Sequence, residues 1–149
     1  MNQPNKTLVF AGILSSIAAL LHIAIIIGGA AWYRFFGAGE ELASLAESGS
    51  WYPALITSGI AVVLFVWALF AFSGAGLIKR LPLLKAGLVI ISAIYLIRGM
   101  IFIPALIVKP EIVDGFLVWS SLICMVYGFS YAVGTRQIWA RKIEHKGRE

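Results

Sequence analysis

Charged residues divide this sequence into long apolar intervals, and the lengths of those intervals set the architecture. Thr7 to Tyr33, Ser48 to Ile78 and Gly115 to Thr135 contain no Asp, Glu, Lys or Arg, and Ala86 to Val108 contains only Arg98. A bilayer core of about 30 Å is crossed by roughly 20 apolar residues in helical form. The intervals therefore predict spans at 8–31, 53–72, 84–103 and 116–138, followed by a basic tail at 139–149. Each span is apolar nearly all round, so periodicity does not choose its faces: lipid-facing and buried positions have the same chemistry.

Local signals punctuate the spans. Ala11, Gly12, Ser15, Ser16, Ala18 and Ala19 give the first helix a small-residue surface that a neighbouring backbone can approach. Trp32, Tyr33, Phe35 and Phe36 then mark the outer headgroups, where Arg34 can snorkel. Gly37-Ala38-Gly39 breaks the helix, and Glu40–Glu47 predicts a short second helix with acidic residues in its first turn and Leu42, Leu45 and Ala46 on one face. Such a helix lies on the outer leaflet or caps the bundle mouth. Ser48-Gly49-Ser50 ends it, and Trp51, Tyr52 and Pro53 open the second span. Ser73-Gly74-Ala75-Gly76 leads into the tight basic loop Lys79-Arg80-Leu81-Pro82, which makes the second and third spans antiparallel neighbours. Pro104 predicts the end of the third span or a kink there, and Lys109-Pro110-Glu111 turns the chain into the fourth.

Composition agrees with the pattern. Hydrophobic residues make up 60% of the 149 and charged residues 13%, outside the balance of a soluble domain. The fold class is all-α: an integral membrane four-helix transmembrane bundle with a short outer-surface helix between helices 1 and 2, forming a single domain over 1–149. The net charge of +5 does not point to nucleic acid, because the basic residues are sorted by side. Lys6, then Lys79, Arg80 and Lys85, then Arg136, Arg141, Lys142, Lys146 and Arg148 mark the cytoplasmic segments. The first and third loops carry Arg34 and Lys109 against Glu40, Glu41, Glu47, Glu111 and Asp114, and face outward. Both termini are thus cytoplasmic. The uncharged run from Thr7 to Tyr33 is longer than the roughly 7 to 15 residues of a signal-peptide core, so it is a helix of the bundle. Cys124 is the only cysteine, which excludes an internal disulfide, and it reads as a small core residue.

Arg98 is the residue whose placement demands an explanation. A guanidinium in mid-span costs roughly 2.5 to 3.5 kcal/mol on insertion scales, so something must offset it. At about 1.5 Å per residue, His22 and Arg98 lie about 20 Å into their helices from the cytoplasmic ends, and so at similar depth. Thr57, Ser58, Ser120 and Ser121 fall at compatible depth, and Tyr95 is one turn from Arg98 on its own face. These residues predict an outward-opening polar cavity with Glu40 and Glu41 above it. Arg98 then either clamps helices by bonding carbonyls, hydroxyls or a carboxylate from Glu40, Glu41 or Asp114, or binds an anionic group, for which its fork is well shaped. His22 either donates one hydrogen bond within the bundle or accepts a proton beside a bound anion.

Other chemistries lack residues. Bis-histidine haem needs two buried histidines, and His145 is in the tail. Structural zinc and iron–sulfur sites lack ligands, so no cofactor is expected. No span contains the carboxylate that a proton-driven exporter of the small multidrug type requires, and no serine sits in a nucleophile motif with His22.

Tyr33-Arg34-Phe35-Phe36-Gly37-Ala38-Gly39-Glu40, Ser73-Gly74-Ala75-Gly76 with Arg80-Leu81-Pro82-Leu83-Leu84, and Tyr95-Leu96-Ile97-Arg98-Gly99 resemble segments of small uncharacterised four-helix inner-membrane proteins of bacteria. The resemblance runs through Gly99. It implies a bacterial cytoplasmic membrane and a four-helix fold, and carries over no catalytic residue.

The expected function is non-enzymatic: binding, and in its stronger form transport, of a small anionic or amphipathic ligand near Arg98 and His22. A second reading is a scaffold subunit whose small-residue faces, including Gly12, Ser16, Gly74 and Gly76, dock a membrane-protein partner or a second copy. A third is a lipid-modifying enzyme with His22 as acid or base and Arg98 as anion clamp. Membrane lipids are partners in every case, and the basic tail is drawn to anionic lipid.

Overall fold

The computed structural model describes residues 3–113 and 115–146, with the backbone alone at 112 and 141–146. Six α-helices follow in order among these residues: α1 (Lys6–Phe35), α2 (Glu40–Glu47), α3 (Tyr52–Ala75), α4 (Leu84–Met100), α5 (Phe102–Val108) and, after a 3₁₀ turn at Pro110–Ile112, α6 (Gly115–Lys146). Four stretches are long and apolar enough to cross a membrane: Lys6–Phe35, Tyr52–Ala75, Leu84–Val108 and Gly115–Ala140. The protein is all-α with the four spans of a transmembrane bundle, and α2 is the short helix between the first two. Asp114 and Arg148 lie outside the described residues.

Three helices differ from the expected spans, each for a local reason. The continuous helix expected over 8–31 is interrupted at Gly29, whose φ of 65° and ψ of −152° no residue with a Cβ adopts readily. The third span runs on past 103 to Val108, but in two pieces. Pro104 has no N–H for the Met100 carbonyl, so α4 stops at Met100 and the chain resumes as α5. The basic tail expected as a separate segment at 139–149 is, as far as Lys146, a continuation of α6. No Gly or Pro lies between Thr135 and Lys146, and Arg, Lys, Gln and Glu are good helix formers. By contrast, the breaks after α1, α2 and α3 fall where the glycines placed them. The residue after Gly37, Gly49 and Gly76 donates back to Tyr33, Leu45 and Phe72 in turn, the Schellman closure that a left-handed glycine permits.

Contacts divide the chain into two compact units, Met1–Leu14 with Trp67–Glu149, and Ser15–Val66. In the first, α4 and α6 pack antiparallel. Ser92 Oγ donates to the Gly128 carbonyl at 3.0 Å. A Cβ on Gly99 would stand 2.9 Å from the Met125 backbone nitrogen, and one on Gly128 3.0 Å from that of Leu96. These glycines bring the two backbones close enough for dispersion to hold them, the principal attraction available between helices in lipid. The end of α3 joins them, with Gly87 against the Phe70 ring and Gly74 against Leu8 and Leu88, as the short basic loop requires. The Tyr95 ring sits among Trp67, Tyr127 and Tyr131, with centroids 4.9, 5.1 and 5.7 Å away. Tyr127 and Tyr131 donate their hydroxyls to the Leu14 and Trp67 carbonyls at 3.0 and 2.9 Å.

Asn5 fastens the start of α1 in this unit. Its Oδ1 accepts from the Leu8 N–H, its Nδ2 donates to the Gly134 carbonyl at 3.1 Å, and its own backbone N–H donates to the Ala75 carbonyl. One buried side chain thus caps a helix and ties it to the end of the fourth span.

In the second unit α2 folds back on the end of α1. Ala43 is fully buried against Tyr33 and Ile25, with Ala30, Phe36 and Ala46 around them. The buried face therefore centres on Ala43, one position from the Leu42, Leu45 and Ala46 face expected, and those three residues flank it at intermediate exposure.

Candidate functional site

Arg98 is on the last turn of α4, thirteen residues beyond Lys85. At about 1.5 Å per residue that is about 20 Å along the helix, roughly two-thirds of the way across a 30 Å core. The side chain is half-buried. Its Nη1 donates to Ser121 Oγ and its Nη2 to Ser120 Oγ, both at 3.2 Å. Ser121 is fully buried, and Ser120 passes its own hydrogen to the Leu117 carbonyl at 3.2 Å. The close packing of Gly99 on Met125 brings α4 and α6 together at this level, so that adjacent serines on one helix meet the fork from the other.

Two neutral hydroxyls orient a guanidinium without neutralising it. Among the described residues of this unit no carboxylate pairs with Arg98, and its fork has five N–H donors of which two are engaged. Of the partners expected from sequence, the hydroxyls of Ser120 and Ser121 are those that meet Arg98 among the described residues. Asp114 lies outside the described residues, and the Glu40 carboxylate is bonded elsewhere.

That other centre is Arg34. Its Nε and Nη2 donate to both oxygens of Glu40, the shortest contact being 2.6 Å, and its Nη1 and Nη2 donate to both oxygens of Glu47, again with a shortest contact of 2.6 Å. One fork thus grips the first and last residues of α2 and clamps that helix to the end of α1. The hydrogen bonds from Arg34 hold both carboxyls below the usual carboxylate range. Arg34, expected only to snorkel, is the latch that holds α2 to the end of α1.

The remaining sequence candidates divide between the units. Tyr95, Ser120 and Ser121 belong with Arg98 in the first, although the buried Tyr95 ring is committed to the aromatic cluster. His22, Glu40, Glu41, Thr57 and Ser58 belong to the second. His22 is half-buried, and its Nδ1 lies 2.7 Å from the Ala18 carbonyl one turn back. A carbonyl only accepts, so Nδ1 carries the proton and a neutral ring presents Nε2 as an acceptor. Thr57 is buried, while Glu41 and Ser58 are exposed. Ser58 lines an apolar groove of about 470 Å³ between α1 and α3 with Ser16, Ala19, Leu20, Ile23, Ala61, Val62 and Phe65.

Sequence reasoning missed Asn5 and the four-ring cluster. Both left a signal: an asparagine immediately before the apolar run is a helix-capping residue, and Tyr127 and Tyr131, four apart in mid-span, share a face and need acceptors.

No protein-family model, curated protein or solved structure matches this chain.

Proposed function

We propose that this is a non-enzymatic multi-pass membrane protein that binds a small anionic or amphipathic ligand through Arg98, oriented by Ser120 and Ser121, and that transport of this ligand is its stronger form. The observation that carries the reading is a guanidinium within the third apolar span whose side-chain partners among the described residues are the neutral hydroxyls of Ser120 and Ser121. Its unspent N–H donors suit a carboxylate or phosphate group, and the surrounding low dielectric strengthens such a pair. The protein resides in a bacterial cytoplasmic membrane, as the resemblance of its segments to small bacterial inner-membrane proteins implies, and both termini are cytoplasmic, an orientation supported by the sorting of Lys6, Lys79, Arg80, Lys85 and Arg136 from the acidic loops. Reporter fusions at each terminus and at Ser48 test the orientation, and an external signal from either terminus would reverse it.

Mass spectrometry of molecules that copurify with the wild type, beside an Arg98→Gln variant of matched unfolding midpoint, tests the ligand reading. An anionic species retained by the wild type and lost from the variant is expected. Identical retention by both, or retention by neither, would leave Arg98 a helix clamp. The groove containing Ser16, Ala19, Ser58 and Ala61 favours a second reading, a scaffold subunit that receives a partner helix there. Crosslinks from Ser58→Cys that recover only lipid would remove it.

A further inference from the structure

At the other end of the α4–α6 pair from Arg98 lies a groove of about 420 Å³, lined by Val89, Ala93 and Leu96 of α4, Ala132 and Trp139 of α6, and the polar residues Ser92, Thr135 and Arg136. Its volume falls within the roughly 300–1,000 Å³ of sites that hold small ligands. Two of its polar residues are polar in name only. Ser92 Oγ donates to the Gly128 carbonyl at 3.0 Å and Thr135 Oγ1 to the Tyr131 carbonyl at 2.7 Å, and both residues are buried. With the Ser92 hydroxyl turned across the seam to α6 and the Thr135 hydroxyl turned onto the backbone of its own helix, the groove wall is hydrocarbon from Val89 to Leu96.

The mouth is different. Arg136 is exposed on the groove rim and forms no ion pair among the described residues. Lys85, one turn before Val89 on α4, places its Nζ 5.7 Å from the centroid of the Trp139 ring. Two cations therefore border the open end beside an indole, and hydrocarbon lines the rest. A soluble anion would use the cations and leave the wall unsatisfied, whereas an apolar helix would use the wall and leave the cations facing nothing.

We propose that this groove is a structured binding site for an anionic phospholipid of the leaflet at the basic end of the protein: one acyl chain lies along Val89, Ala93, Leu96 and Ala132, and the phosphate meets Arg136 and Lys85. Arg136 supplies a fork for the phosphate oxygens and Lys85 a point charge, while Trp139 sits at headgroup level where its ring is half wet. The site is separate from Arg98 and does not depend on the ligand reading above.

The test is native mass spectrometry of the full chain from detergent, titrated with phosphatidylglycerol and with phosphatidylcholine of the same acyl chains. Phosphatidylglycerol should bind with preference. Arg136→Gln should weaken it about fivefold, the share of one basic contact with an anionic headgroup. Ala132→Leu should weaken both lipids by filling the groove, whereas Lys79→Gln in the loop should change neither. Equal binding of both lipids, or equal weakening by Lys79→Gln and Arg136→Gln, would reduce the effect to diffuse attraction and overturn the site. An Ala132→Leu protein that binds phosphatidylglycerol as tightly as the wild type would remove the acyl groove.

Discussion

Replacing Gly128 by alanine tests whether α4 and α6 are held by backbone proximity. The added methyl would lie 2.7 Å from Leu96 Cγ, 2.8 Å from its Cδ2 and 3.0 Å from its backbone nitrogen. Leu96 can turn its side chain but not its nitrogen, so relief requires the helices to part by about 0.5 Å, which forfeits about a quarter of the contact energy along the seam. The Ser92 to Gly128 hydrogen bond, 3.0 Å in the wild type, lengthens toward its limit, and such a bond contributes about 0.6 kcal/mol in a membrane. Overpacking of this kind costs about 1–3 kcal/mol, against a gain of about 1 kcal/mol from replacing glycine within a helix. A net loss of up to about 2 kcal/mol is expected. Gly59 in α3 supplies the contrast, because a Cβ there meets nothing within 4 Å. Gly59→Ala should therefore be neutral or stabilising by up to about 1 kcal/mol. Unfolding in mixed micelles of rising SDS fraction, followed by tyrosine and tryptophan near-ultraviolet dichroism, measures both. If the two variants shift the midpoint equally and in the same direction, the close approach of α4 and α6 is not what stabilises the pair.

Three further outcomes follow from single contacts. Asn5→Ala removes the cap on Leu8 and the donor to Gly134, and should destabilise by about 1–2 kcal/mol in the same unfolding assay. The Arg34 latch stabilises the ionised forms of Glu40 and Glu47, whose folded values lie below the ordinary 4.5. Its contribution is then complete above the ordinary value and lost only as pH falls through the depressed ones. Carboxyl-carbon NMR should show both glutamates titrating below 4.5 in the wild type and moving upward in Arg34→Gln. Leu83, exposed and held at φ 52° before α4, is strained by its Cβ, so Leu83→Gly should raise stability by about 1 kcal/mol.

The spans, the short helix at Glu40–Glu47 and the closures at Gly37, Gly49 and Gly76 were legible in the sequence because their causes are local. A run of apolar residues has only one satisfied backbone in lipid, the helix, and a glycine after a helix permits its own closing hydrogen bonds. Arg98 announced itself because lipid makes any mid-span charge expensive. What only the tertiary structure decided is which groups meet. That Arg98 rests on Ser120 and Ser121, that Glu40 and Glu47 share Arg34, that Asn5 reaches Gly134 and that Tyr95 joins three other rings depend on how helices turn about their axes. Hydrophobicity does not specify that rotation in a chain apolar on every face. It is set by where glycines admit a backbone and where buried hydroxyls find carbonyls, and both depend on a neighbour distant in sequence.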